Sequence, residues 1–374
     1  MNENKFMFHL TSELIKSINN NFKDNYDEYR YGKEILNLKS KTSIKSFLVS
    51  MLRKFGYYNN FNNQIFANKI ADLDFPLLDF KYLYNQLENQ ISKDLLIKIV
   101  AYRILGHEKV KLPLNTPDFW RNQNYIEPYQ SKTDIYSIDF MNWKFPLTNL
   151  DVVGFPIKLY GSAPGVNSIF IIKQYELLQE NLKIEVKEGD IVIDCGGCFG
   201  DTALYFAEKS GVNGKVHVFE FINDNILLLN KNLSLNPELE RRIQLIEKPL
   251  WNESGNKLYY LPNGPGSFVS EKTFEGYTHE VTTISIDDYI ENYKITRVDF
   301  IKMDIEGAEI KCLEGAIKVI KEFKPKLAIA LYHSTIDFDR IPRFIKNLDL
   351  GYKLYLSHST IYDEETMLFA ISES

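Results

Sequence analysis

The sequence has few cysteines for its length. Only three occur among 374 residues, too few for a disulfide framework and consistent with a reducing compartment. No apolar run approaches the roughly 20 residues of a membrane-spanning helix, and the polar start MNENKFMFHL lacks the basic and then apolar pattern of a secretory signal. These absences predict a cytoplasmic protein without a membrane span.

Runs of lysine and arginine are also absent. The chain carries 44 basic and 50 acidic residues, a formal net charge of −6, which argues against nucleic acid as a partner. A small anion such as a nucleotide sugar would need only a local basic pocket. Aromatic residues are abundant, with 23 Tyr and 25 Phe. Most are expected in the core, but such an excess also suits a pocket that stacks on rings or sugars.

The length predicts two domains. Residues 1–145 read as a mainly helical N-terminal domain with a linker, and residues 146–374 as a second domain. Segment 83–106 repeats apolar residues at helical spacing, with Ser92 predicted as the N-cap and Gly106 as the end of the helix. Prolines and short aromatic stretches near the boundary predict a linker containing short strands or hairpins.

Apolar strands and helical segments alternate in the second half of the chain. Strands are predicted at 190–196, 215–221, 243–250, 298–305 and 326–333. Helices are predicted at 201–211, 223–236, 285–293, 308–323 and 340–351. This alternation predicts an α/β fold with a doubly wound parallel sheet. Only a short turn separates the two final strands, YKLYLSH and ETMLFAI, so they must be antiparallel.

The stretch IVIDCGGCFGD allows two interpretations. Cys195 and Cys198 form a C-x-x-C pair, typical of a redox centre or half a zinc site. A redox pair belongs at a helix N-terminus, however, and a structural zinc site needs a second pair that the chain lacks. Asp194, Gly196 and Gly200 form D-x-G-x-x-x-G directly after a buried strand. That position favours a loop folded closely around a cofactor.

The cofactor interpretation also accounts for Glu220, which ends the next predicted strand 26 residues after Asp194. A carboxylate there can accept the ribose hydroxyl protons of a nucleotide-like cofactor. Cys195 occupies the first glycine position of G-x-G-x-x-G, so a dinucleotide pyrophosphate fits less well. An acid beside the loop suits S-adenosylmethionine, which carries an amino group and a sulfonium but no phosphate. A structural turn in an unrelated α/β protein remains an alternative.

These segments resemble the FkbM-type S-adenosylmethionine-dependent methyltransferases. The resemblance extends over about residues 165–370 and is carried by GDIVIDCGGCFGDTALYFA, HVFEF, VDFIKMDIEGAE, LYH and GYKLYLSHSTIYDEETMLFA. Its most specific part is D-x-E-G-x-E, and Phe221 departs from it where the family typically has proline. The resemblance implies a seven-stranded, Rossmann-like, mostly parallel methyltransferase sheet with an antiparallel last strand. Family members often O-methylate sugars, glycans or polyketides.

The resemblance also implies roles for individual residues. The segment Lys248 to Trp251 would lie near the adenine edge, and Gln174 and Tyr175 would lie on a helix that covers the cofactor. Cofactor-binding roles are implied for Asp194, Gly196, Gly200, Asp201, Thr202, Glu220, Gln174 and Tyr175.

Methyl transfer to a sugar hydroxyl needs a base or a metal, because the hydroxyl is a very weak acid. Asp304 and His333 end two neighbouring predicted strands, so both should face the crevice at the carboxyl ends of the sheet. In one hypothesis His333 is the general base, oriented by Asp304 or Glu306. In the other, Asp304, His333 and either His358 or Glu306 hold a divalent ion, Mg or Mn. Glu309 is predicted to be a solvated acid in the first turn of a helix.

The sequence therefore predicts an O-methyltransferase acting on a sugar hydroxyl. The sugar is expected to be nucleotide-activated and to serve capsule or other surface-polysaccharide biosynthesis. The alternatives are an N- or carboxyl-methyltransferase, an NAD-dependent oxidoreductase, and a non-catalytic binding protein on the same scaffold. The carbon that is methylated and any homo-oligomer formation stay open.

Overall fold

The computed structural model describes residues 5–28, 77–122, 124–138, 143–264, 266–267 and 269–372. Its strands are β1 (Gln130–Ile138), β2 (Trp143–Asn149), β3 (Lys158–Tyr160), β4 (Leu177–Gln179), β5 (Leu182–Ile184), β6 (Ile191–Cys195), β7 (Lys215–Phe219), β8 (Ile243–Ile246), β9 (Lys257–Tyr260), β10 (Val269–Ser270), β11 (His279–Thr282), β12 (Phe300–Met303), β13 (Lys326–Ala330), β14 (Tyr352–His358) and β15 (Thr366–Ser372).

The α-helices of the described residues are α1 (Lys5–Ser17), α2 (Leu77–Gln86), α3 (Gln90–Leu105), α4 (Pro117–Asn122), α5 (Ala163–Val166), α6 (Asp201–Ser210), α7 (Asn223–Ser234), α8 (Pro237–Glu240), α9 (Ile286–Asn292), α10 (Glu309–Glu314), α11 (Ile317–Phe323) and α12 (Asp337–Asn347). A π-helical turn, Asn167–Ile172, follows α5. No helix of the described chain is long and apolar enough to cross a membrane.

Seven strands form the central sheet in the order β14-β15-β13-β12-β6-β7-β8. β15 is antiparallel to both of its neighbours, and the remaining pairs are parallel. The predicted doubly wound sheet with an antiparallel last strand is therefore confirmed. The chain winds outward in both directions from the β6–β12 pair. In such sheets ligands bind at this switch point, outside the carboxyl ends of the strands.

Helices cover both faces of the sheet, which explains why its parallel strands read as continuous apolar runs. Phe300 on β12 packs in the same core cluster as α6 and α7. Its neighbour Ile301 packs on the opposite side with α9, α10 and α12. The two-residue repeat of a strand thus separates two cores.

The N-terminal helices pack against the β14 edge of the sheet. α1, α2 and α3 share a hydrophobic core with β14 and α12, and the rings of Phe80 and Phe338 lie 4.8 Å apart. The single helix predicted at 83–106 is in fact two helices. Asn89 caps the second helix, so the prediction of Ser92 as the N-cap was wrong. The Oγ of Ser92 instead accepts the N–H of Leu356, on β14 of the central sheet, at 3.0 Å. The domain boundary predicted after residue 145 falls within β2 and stays a prediction.

The helix predicted at 308–323 is also interrupted. It breaks into α10 and α11 around Gly315, where an added Cβ would overlap the carbonyl oxygen of Trp251. The N–H of Asp287 donates to the Gly315 carbonyl at 2.8 Å, so this turn lies against two neighbouring segments. A small antiparallel sheet, β10-β9-β11, was not predicted either.

Candidate active site

Two adjoining cavities lie at the carboxyl ends of β6, β7 and β12. The larger is a cleft of about 720 Å³ and the smaller has about 80 Å³. Their linings share Gly196, Cys198, Asp304 and Glu306. The position agrees with the crevice expected at the switch point of the sheet.

The glycine loop after β6 forms the wall between the cavities. Gly196 has a φ of 86°, a conformation that L side chains rarely adopt. A Cβ at this position would also overlap the carbonyl oxygen of Asp304. Gly200 ends the loop as the N-cap of α6, so Asp201 and Thr202 open that helix as predicted and line the larger cleft.

Asp194 lies beneath this loop and is fully buried. Its Oδ1 is 3.2 Å from the Nζ of Lys302, and its Oδ2 accepts the hydroxyl of Thr202 at 2.6 Å. Burial raises the pKa of Asp194, although Lys302 and Thr202 oppose that shift. The sequence suggested that this acid would face a cation of the ligand, whereas the structure places a lysine of the chain itself there.

Lys302 braces the loop from the neighbouring strand. Its side chain is 2% exposed, and its Nζ donates to the carbonyl oxygens of Cys195 at 3.1 Å and Gly196 at 2.6 Å. Burial lowers the pKa of Lys302, but the carboxylates of Asp194 and Asp304 outweigh burial, and the net direction is upward. The lysine is therefore a cation that ties β12 to the loop.

Glu220 lines the smaller cavity. Its Oε1 accepts the N–H groups of Phe221 at 2.7 Å and Ile222 at 2.8 Å, and its Oε2 accepts an N–H of Asn225 at 3.2 Å. Burial raises the pKa of Glu220, and these hydrogen bonds oppose the shift. Of the segment predicted near an adenine ring, residues 248–250 line this cavity.

Asp304 stands directly after β12 and lines both cavities. The hydroxyl of Tyr175 donates to its Oδ2 at 2.7 Å, and the hydroxyl of Tyr332 donates to its Oδ1 at 2.9 Å. Burial raises the pKa values of both tyrosines well above the ordinary value, followed by the charge of Asp304. Both tyrosines therefore remain donors at neutral pH.

His333 lies behind this carboxylate, in the loop after β13, with its side chain 8% exposed. Its Nδ1 donates to Oε1 of Glu309 at 2.9 Å, and its Nε2 is 3.5 Å from Asp304 and 3.6 Å from Glu306. Burial lowers the pKa of His333, but Glu306, Glu309 and Asp304 outweigh it and raise the pKa to about 11. The ring is therefore an imidazolium at neutral pH.

Glu309 is not the solvated acid that the sequence predicted. Its side chain is 0% exposed, and the same oxygen that binds His333 accepts the N–H of Ile305 at 2.9 Å. The prediction was wrong because helix position alone suggested an exposed first-turn acid, while the turn before α10 folds Glu309 inward.

Gln174 and Tyr175 line the larger cleft but do not lie on a helix, as the resemblance implied. They follow the π-helical turn, which Lys173 ends with a φ of 59°. Gln174 donates to the carboxylate of Glu365, which also lines the cleft. The Tyr175 hydroxyl binds Asp304, so the two residues connect this segment to carboxylates on both the β12 and the β15 sides of the cleft.

His358 is not brought into this cluster. Its Nδ1 pairs with the Thr366 hydroxyl at 2.9 Å and its Nε2 with the Tyr362 carbonyl oxygen at 2.6 Å. Among the described residues, the atoms close enough to share a metal ion belong to Asp304, Glu309 and His333, within 4.8 Å of one another.

The cysteines do not form the C-x-x-C centre considered from the sequence. Cys195 is buried at the end of β6, where burial, followed by a hydrogen bond with Cys312, raises its pKa well above the ordinary value. Burial likewise raises the pKa of Cys198, followed by the charge of Glu220. Raised thiol pKa values oppose the thiolate that redox chemistry and metal binding require.

The comparison with known families decides the class of protein. Residues 194–354 match the family described as "Methyltransferase FkbM domain". This part of the chain is similar to the FkbM methyltransferases. The matched segment runs from Asp194 to Leu354 and so contains the glycine loop, Glu220, Asp304 and His333. The match favours a methyltransferase over the NAD-dependent oxidoreductase considered as an alternative.

Solved structures with some similarity include an FkbM methyltransferase from Methylobacillus flagellatus KT, at 19% identity over 87% of this chain and 70% of that chain, with a TM-score of 0.49. Aeropyrum pernix fibrillarin with bound S-adenosyl-L-methionine shows 16% identity over 63% and 93%, TM-score 0.35. A Bacillus cereus O-methyltransferase in complex with SAH shows 11% over 55% and 78%, TM-score 0.34. No curated protein matches the chain.

The structure adds residues to the site whose contacts the sequence did not indicate. Lys302 was detectable as one lysine within an apolar run that reads as a strand buried on both faces. Glu309 belongs to the D-x-E-G-x-E segment but had no visible partner. Tyr332 and Glu365 are the remaining additions. Tyr332 donates a hydrogen bond to Asp304, and Glu365 accepts one from Gln174.

Proposed function

We propose that this protein transfers a methyl group from S-adenosylmethionine to a hydroxyl group of a sugar. The observation that carries the proposal is the Nε2 of His333. It is buried, it has no hydrogen-bond partner among the described residues, and it points toward the cleft-lining carboxylates of Asp304 and Glu306. A proton-exchanging group thus lies directly behind two carboxylates that line both cavities.

The residues of the smaller cavity and the loop suit the methyl donor. Glu220 offers a buried carboxylate for ribose hydroxyls, and Gly196, which lines both cavities, has no side chain of its own to keep a ligand from the loop backbone. Asp201, Asp304 and Glu306 supply negative charge that suits a sulfonium and an amino group but opposes phosphates. When bound, S-adenosylmethionine supplies the electrophilic methyl group.

The larger cleft supports a sugar as the acceptor. Aromatic rings line one part of it, and their faces can pack against the C–H groups of a pyranose; these rings are Trp143, Phe145, Tyr160 and Phe199. The lining also includes Gln174, Glu365 and Glu306, which can bind several hydroxyl groups. Aromatic faces together with polar groups match the two kinds of surface on a sugar ring.

His333 is proposed as the group that removes the hydroxyl proton. Since Asp304, Glu306 and Glu309 hold it as an imidazolium, it must first release the proton on Nε2, and half-exposed Glu306 offers a route to solvent. The fraction of neutral His333 grows as the pH rises toward its pKa of about 11. Methyl transfer is therefore expected to accelerate through the alkaline range.

A metal-assisted route is the second candidate. Asp304, Glu309 and His333 offer ligand atoms within 4.8 Å of one another, and a divalent Mg or Mn ion there would lower the pKa of a bound hydroxyl. This route predicts that a chelator abolishes turnover and that added Mg²⁺ or Mn²⁺ restores it.

The test has two stages. Calorimetric titration should show binding of S-adenosylhomocysteine and none of NAD. S-adenosylmethionine with an isotopically labelled methyl group is then incubated with hexoses, methyl glycosides and nucleotide-activated hexoses, and mass spectrometry locates the label. Label on a sugar oxygen supports the proposal. Label on nitrogen or on a carboxylate of control acceptors would instead establish an N- or carboxyl-methyltransferase.

The biological setting also remains a proposal. A nucleotide-activated sugar as substrate would place the enzyme in the cytoplasm, in the synthesis of capsule or another surface polysaccharide. Methyl transfer to nucleotide-linked hexoses but not to free hexoses would favour that setting.

A further inference from the structure

The buried carboxylate of Glu309 carries two hydrogen bonds on one oxygen. Its Oε1 accepts the N–H of Ile305 and the Nδ1–H of His333, each at 2.9 Å, while its Oε2 has no partner among the described residues. Burying a carboxylate without water is costly unless donors compensate it. A residue with only a structural role in this turn would need the first bond but not the second.

We propose that Glu309 is a positioning residue for methyl transfer, fixing the His333 ring so that Nε2 is the nitrogen that faces the cleft-lining carboxylates of Asp304 and Glu306. This inference rests on the proposed function, in which Nε2 exchanges the acceptor proton. Glu309 opens α10, and His333 lies in the loop after β13. The hydrogen bond between them therefore sets the ring against the turn that carries Asp304 and Glu306.

The argument follows from the chemistry of imidazole. A carboxylate accepts but does not donate, so Nδ1 must carry the proton in this bond whether the ring is neutral or charged. Nε2 is then the nitrogen that can lose or accept a proton, and the bond to Nδ1 decides which nitrogen plays that part. Ring orientation matters because a proton acceptor must lie within hydrogen-bond reach of the acceptor hydroxyl.

Glu309→Leu removes the acceptor from Nδ1, so the ring can rotate or carry its proton on Nε2. Glu309→Gln is the conservative variant, because its amide oxygen can take the place of Oε1 and accept both the Ile305 N–H and the Nδ1–H. Glu314→Gln is the matched control, because Glu314 lies on the same helix with its side chain 40% exposed and pairs with Lys311 at 3.2 Å.

The first readout is the ring itself. The intact chain, labelled with ¹⁵N-histidine and saturated with S-adenosylhomocysteine, should show a downfield, slowly exchanging Nδ1–H resonance that disappears in His333→Gln. Glu309→Leu should lose this resonance, whereas Glu309→Gln and Glu314→Gln should keep it. Its persistence in Glu309→Leu would overturn the proposal. Because the readout needs no sugar, it can be read even if the proposed methyl transfer fails.

The second readout is turnover of whichever sugar the labelled-methyl assay identifies. Glu309→Leu should lower kcat by at least about 100-fold, the scale of a lost general base, with little change in either KM. Glu309→Gln should recover part of kcat, and Glu314→Gln should match the unmodified protein. Unchanged kcat in Glu309→Leu, with sugar methylation intact in the parent, would leave the proposed function standing and refute the positioning role.

Discussion

Lys302→Met should destabilise the protein strongly, because it leaves the charge of Asp194 buried without its cation. The two side chains are 2% and 0% exposed and lie 3.2 Å apart, so water cannot replace the lysine. Removing one partner of a buried pair costs about 3–5 kcal/mol. The same change also leaves two carbonyl oxygens of the glycine loop without their donor, which places the expected loss toward the upper part of that range.

Urea unfolding at pH 7 measures this loss, with Lys318→Met as the control, since Lys318 makes an exposed ion pair with Glu291 at 3.8 Å. The double variant Lys302→Met/Asp194→Asn should lose less than the sum of the two single variants, because it removes the uncompensated charge.

The pH dependence provides an independent check. Without Lys302, the pKa of Asp194 should rise further above its value in the unfolded chain, so the folded variant binds the proton more tightly. Its stability should therefore increase as the pH is lowered and fall as the pH rises. A loss below about 1 kcal/mol at pH 7, or additive losses in the double variant, would refute the reasoning.

Two further changes test other parts of the fold. Gly315→Ala should cost about 1–3 kcal/mol in urea unfolding, because the new methyl group meets the backbone carbonyl of Trp251; unchanged stability would show that α10 and α11 can shift. His217 is buried against the hydroxyl of Tyr289, and burial lowers its pKa to about 4, below the value of about 6.5 in an unfolded chain. Stability should therefore fall as the pH drops from about 6.5 to 4, by on the order of 3 kcal/mol, and His217→Gln should flatten this part of the curve; an equal acid loss in the variant would contradict it.

Periodicity and strand order were enough to predict much of the molecule. Alternating apolar runs identified the sheet, and the short turn before the last strand fixed its antiparallel direction. Because parallel strands end at a common edge, Asp304, His333 and Glu220 could be placed near the cleft without a structure. These inferences depend only on which strand a residue ends.

Contacts between residues distant in the chain could not be predicted in this way. Lys302 and Asp194 meet because β12 pairs with β6, with those two residues in register, and a sequence pattern does not state the register. Glu309 and His333 are 24 positions apart and meet only after the turn at Glu306 and Gly307 takes positive φ angles. Such turns are set by local backbone geometry that apolar periodicity does not report.

The N-terminal helices cover β14, an edge strand of the central sheet. An edge strand exposes unpaired N–H and C=O groups that can recruit a strand from another molecule. On β14 the Leu354 carbonyl accepts the N–H of Glu88, and the backbone of Leu356 is bound by Ser92 and Gln179. Glu88, Ser92 at the start of α3 and Gln179 on β4 therefore shield the central sheet from edge-to-edge aggregation. A methyltransferase domain without these helices would expose unpaired backbone groups of β14 to strands of other molecules.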